Sequence, residues 1–84
     1  MINTIEIANQ YIGKIQKELQ ISISIIENQT RYETEFDVYF YQTEKFIKTQ
    51  NIEFMLAGNS PIIINKLTVT RANDQQLHLR SLML

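Results

Sequence analysis

The chain has 84 residues, 44% of them hydrophobic and 20% charged, with a net charge of −1. That length is read as a single domain spanning residues 1–84, with a thin core that buries a little over roughly 60% of the unfolded surface. Scattered bases and near-zero charge argue against nucleic acid as a partner, since neutralising phosphates takes clustered Lys and Arg, and the lack of cysteine removes disulfides, thiolate catalysis and most structural zinc sites.

Residues 4–19 are predicted to form an amphipathic helix. Ile5, Ala8, Ile12, Ile15 and Leu19 recur at spacings of three and four and so make one apolar stripe. Asn3 or Thr4 can cap its start, with Glu6 placed as in a capping box. Gly13 interrupts it and is read as an exposed, tolerated glycine. In residues 21–26, Ile21, Ile23 and Ile25 alternate with serines, the pattern of a half-buried strand. Residues 28–31 look like a polar turn. A second strand is expected over 32–41, with Phe36, Val38 and Phe40 on one face and Glu33, Glu35, Asp37, Tyr39 and Tyr41 on the other. The two strands are read as an antiparallel hairpin.

In residues 42–56 the apolar spacing turns helical, which predicts one or two short helical turns. Ala57-Gly58-Asn59-Ser60-Pro61 is a turn by composition. Ile62-Ile63-Ile64 reads as a buried strand and residues 67–71 as its continuation or the next strand. Residues 72–75 are expected to turn, and residues 77–81 to form a last strand. The expected fold class is α+β: the N-terminal amphipathic helix packed on a mostly antiparallel sheet of three to five strands. One long helix covers only one sheet face well, and the other must meet water or a partner.

The N-terminal MINTIEIANQ lacks a basic n-region and an apolar h-region. The longest aliphatic run, Ile62-Ile63-Ile64, falls far short of the ~20 residues that cross a bilayer. The expectation is a cytoplasmic protein with no membrane partner.

Catalysis needs a nucleophile, a base and a group to orient the base. The single histidine, His78, lies in Leu77-His78-Leu79 and is read as a solvent-facing strand residue. Carboxylates at Glu33, Glu35 and Asp37 could share a strand face, but no neutral ligand or Gly-bearing loop accompanies them, so no metal site is expected. With glycine only at 13 and 58, a phosphate-cradling loop is excluded. No enzyme and no cofactor are expected; the chain is read as a protein that works by binding.

The segments Phe36-Asp37-Val38-Tyr39-Phe40-Tyr41, Glu44-Lys45-Phe46-Ile47-Lys48-Thr49 and LAGNSPIII (56–64) carry a resemblance. Over roughly residues 4–66 the chain resembles immunity protein family 35, with its leading helix, its aromatic strand and its GxxP signature, here Gly58-Asn59-Ser60-Pro61. The resemblance implies an α+β domain that acts as a bacterial antitoxin. Its partner would be a cognate toxin from a polymorphic toxin system, encoded by the adjacent gene.

From the residues themselves, the acidic and aromatic strand face is the expected toxin contact. Residues 27–53 hold six acids against three bases. On that face Glu33, Glu35 and Asp37 supply charge, and Tyr39 and Tyr41 supply rigid contact area. The competing reading packs Tyr39 and Tyr41 under residues 42–56. Gly58, Asn59 and Pro61 are read as structural, shaping the turn into the following strand. Two other functions stay open: a small chaperone-like or housekeeping protein-binding module, and a homodimer that covers its open sheet face with itself.

Overall fold

The computed structural model describes residues 3–72. The expected strand over 77–81, with His78, lies outside the described residues.

Helix α1 runs Thr4–Leu19, the bounds that the apolar spacing predicted. The Asn3 side chain accepts from the Ile5 N–H at 3.1 Å and so fills one orphan donor of the first turn. At the other end Gln20 turns left-handed (φ 56°) and its N–H returns to the Gln16 carbonyl at 2.7 Å. Ala8 and Ile12 are buried; Ile5, Ile7, Tyr11 and Ile15 pack partly buried around them. Leu19, the last member of the expected stripe, is 44% exposed. A Cβ added at Gly13 meets nothing within 4 Å. Gly13→Ala is therefore expected to raise unfolding stability by about 0.5–1 kcal/mol, read by urea titration, because it removes only backbone entropy.

Residues 23–43 form one long antiparallel hairpin built in two parts. Strand β1 (Ile23–Ile25) pairs with β4 (Tyr41–Thr43), and β2 (Arg31–Tyr32) pairs with β3 (Phe36–Tyr39). Between Ile25 and Arg31 stand five residues, but between Val38 and Tyr41 only two. The three extra residues are taken up by a single 3-10 turn at Glu27–Gln29, a bulge in one strand. The turn expected at 28–31 is this bulge; the chain reverses later, where the Glu33 N–H meets the Phe36 carbonyl at 2.8 Å.

Helix α2 (Glu44–Thr49) follows directly, capped by Thr43 Oγ1, which accepts from the Phe46 N–H at 3.0 Å. A 3-10 turn at Ile52–Phe54 completes the expected pair of short helical turns. Strand β5 (Ile62–Asn65) then enters beside β3, with Asp37 opposite Ile64 and Tyr39 opposite Ile62. Within 67–71 only Thr70–Arg71 is extended, as β6, antiparallel to β5. Residues 66–69 instead form a turn, in which the Asn65 side chain caps the Leu67 and Thr68 N–H groups and Val69 sits at φ 53°.

The four-stranded sheet has the order β2-β3-β5-β6, and α1 packs across β1 and β5. The core holds Ala8, Ile12, Ile23, Tyr39, Tyr41, Ile62 and Ile64. This is the α+β architecture expected, one long helix on a mostly antiparallel sheet. Among the described residues no helix is long and apolar enough to cross a membrane.

One expectation is reversed. Asp37, Tyr39 and Tyr41 point inward, at 5%, 1% and 7% exposure, while Phe36, Val38 and Phe40 are half-buried on the other face. The inner face is chosen by Ile62 and Ile64, which are fully buried beneath α1 and sit opposite Tyr39 and Asp37.

Candidate partner-binding surface

The five residues expected at the toxin contact divide into two groups. Asp37, Tyr39 and Tyr41 are core. Asp37 Oδ2 accepts from Thr4 Oγ1 at 2.5 Å, and Thr4 Oγ1 also lies 2.5 Å from the Tyr39 hydroxyl. Asp37 Oδ1 accepts no hydrogen bond among the described residues and faces the Lys66 ammonium at 3.2 Å. Burying a carboxylate is costly without polar partners of this kind. Burial pushes the Tyr39 phenol above its ordinary value; the Asp37 carboxylate and Tyr32 add to the rise, and the Thr4 hydroxyl opposes it. These groups tie helix to sheet and are closed to a partner.

Glu33 and Glu35 remain exposed, on the reversal between β2 and β3. Tyr32 lies beside them at 73% exposure. Sequence reasoning passed over Tyr32, although it heads the same strand segment as the tyrosines that were chosen. Arg31 pairs with Glu33 at 2.9 Å, but both side chains are largely solvated and the pair is weak. The Lys66 ammonium also donates to the Glu33 carbonyl, which fixes the backbone of this tip. The tip therefore offers an exposed aromatic ring and two exposed carboxylates within a few residues of one another.

A second surface lies at the open end of the hairpin. Residues 52–59 cross β4 as a strap held mostly by side-chain amides and hydroxyls. The buried Gln42 side chain grips the Leu56 backbone at both groups: its Oε1 accepts from the Leu56 N–H at 2.8 Å and its Nε2 donates to the Leu56 carbonyl at 3.2 Å. Thr43 Oγ1 donates to the Phe54 carbonyl at 2.6 Å. Asn59 Nδ2 donates to the Tyr41 carbonyl at 3.1 Å, and Gln42 Nε2 reaches Asn59 Oδ1 at 3.4 Å. Gly58, at φ +76°, takes the left-handed turn that brings Asn59 into place, and Pro61 leads into β5.

The strap carries Ile52, Glu53, Phe54, Met55 and Leu56 in succession. Ile52 is 73% exposed, Met55 49% and Phe54 37%. A groove of about 650 Å³ lies on one side, lined in part by Ile21, Glu44, Lys45, Lys48, Glu53 and Phe54. A second of about 610 Å³ lies on the other, lined in part by Phe40, Phe46, Gln50 and Ile52. Met55 and Leu56 line both, so the strap is a ridge between two grooves. Nothing in the amino-acid pattern separates Ile52, Phe54 and Met55 from core residues, whereas Leu56 packs against the core.

No three His, Cys, Asp or Glu side chains converge among the described residues in a way that could hold a metal ion. Comparison of the chain with models of known protein families, with curated proteins and with solved structures returned no match.

Proposed function

We propose that this protein is a non-catalytic, cytoplasmic immunity protein that binds and silences a cognate toxin encoded by the adjacent gene. The family resemblance of residues 4–66 supports this reading. The observation that carries it is the tip of the β2–β3 hairpin, where Tyr32 stands 73% exposed beside the exposed Glu33 and Glu35. An exposed tyrosine close in sequence to two exposed carboxylates combines an aromatic anchor with the charge that speeds encounter with a basic cleft. Toxins that act on nucleic acids present such clefts, because their substrate is polyanionic.

The experiment is co-expression with the product of the adjacent gene, scored for rescue of growth, followed by binding kinetics. Rescue is expected. Glu33→Lys combined with Glu35→Lys is expected to slow association about 10-fold at low salt, with the difference shrinking as salt is added. An association rate that ignores both charges removes the tip from the interface. Failure to rescue against every neighbouring gene product removes the immunity reading and favours a housekeeping binding module.

A further inference from the structure

The ridge and grooves at the open end of the hairpin are not used by the tip, and they pose a separate question. Three of the four apolar side chains in residues 52–56 face solvent, although burying each would stabilise the chain. The strap is held by hydrogen bonds from Gln42, Thr43 and Asn59 and by Leu56, which packs against the core. The strap is thus a fixed apolar ridge, with Phe54 further pinned by the Lys45 ammonium 5.2 Å from its ring centre.

The charges around the ridge indicate what covers it. The first groove is lined by two carboxylates, Glu44 and Glu53, and two ammonium groups, Lys45 and Lys48. A uniformly basic or acidic partner would meet half of these with the wrong sign. A second copy turned by a two-fold axis brings the same balanced set, so acids of one can face bases of the other. A ridge beside a groove is likewise self-complementary under that rotation, each ridge entering the other copy's groove.

We propose that residues 52–56 and the adjoining grooves form the interface of a homodimer. The two acidic tips, at the other end of each hairpin, stay free in the dimer. The proposal does not depend on what those tips bind.

The test is sedimentation velocity on the full chain over a wide concentration range. A concentration-dependent monomer–dimer equilibrium is expected. Ile52→Glu, at a site open to water in the monomer, is expected to weaken dimerisation about 10-fold or more, with its circular dichroism spectrum unchanged. Lys48→Glu leaves three carboxylates and one ammonium in the groove; Glu53→Lys leaves the reverse. Each variant alone is expected to sediment mainly as monomer, and an equal mixture is expected to form the heterodimer. Both positions are exposed, so this pair keeps the test open if Ile52→Glu folds poorly. A wild-type chain that is monomeric at every concentration overturns the proposal. So does a dimer that Ile52→Glu leaves intact, or a mixture of the charge variants that does not pair.

Discussion

Tyr39→Ala is expected to lower the unfolding free energy by about 3–5 kcal/mol, with far-ultraviolet circular dichroism and urea titration as the measurement. The ring is 1% exposed and packs among Ala8, Ile12, Ile62 and Ile64 in the core. Truncating a fully buried aromatic ring costs about 3–5 kcal/mol, from lost burial and from the cavity left behind. A domain of this length has only about 4–12 kcal/mol in total. Tyr39→Phe separates ring from hydroxyl: it keeps the packing and loses the contact with Thr4, at a cost of about 1 kcal/mol. The charge-reversed Glu33 and Glu35 variants, both on the exposed tip, are expected to unfold within about 0.5 kcal/mol of the parent. A Tyr39→Ala chain as stable as the parent overturns the assignment of this ring to the core.

The second large effect is expected from Gln42→Leu, which keeps the bulk of a buried side chain and removes its amide. Leu56 then loses the partner of its N–H and of its carbonyl, and Asn59 loses a neighbour at 3.4 Å. The penalty is about 1–3 kcal/mol for groups left without a partner. It falls on the strap more than on the core, because α1 and the four-stranded sheet make none of these bonds. Hydrogen exchange should show faster exchange over residues 52–59 with little change in α1. Equal acceleration in both would show that strap and core open as one unit, contrary to the assignment.

How far the fold was legible in the sequence depended on whether a residue pattern had one physical solution. Helix α1 did, because Ile5, Ala8, Ile12 and Ile15 share a face only at 3.6 residues per turn. The alternation of residues 36–41 had two: Phe36, Val38 and Phe40 on one side are no less apolar than Tyr39 and Tyr41 on the other. The choice was made by β5, and Ile62-Ile63-Ile64 is apolar on both faces, so it gave no sign of which side α1 covers. The Glu27–Gln29 bulge was hidden as well, since a polar run is equally a reversal between strands or a detour within one. Of the expected site, Glu33 and Glu35 kept their exposure because the chain turns there. Asp37 lost it because Thr4 and Lys66, 33 and 29 residues away in sequence, supply what its carboxylate requires. The grip of Gln42 on Leu56 leaves no local signature, since it joins a strand to an irregular segment 14 residues on.

Only Phe40 separates β3 from β4, so a single run of backbone serves both sheets. Sliding that run by one position would turn Phe36 and Val38 toward the helix and Asp37 outward. The carboxylate adds to the choice that Ile62 and Ile64 make: in the native alignment it meets both the Thr4 hydroxyl and the Lys66 ammonium. Asp37 thus ties the register of β3 to the positions of Thr4 on α1 and Lys66 after β5, so that a one-residue slip would strand a carboxylate as well as misplace the apolar face.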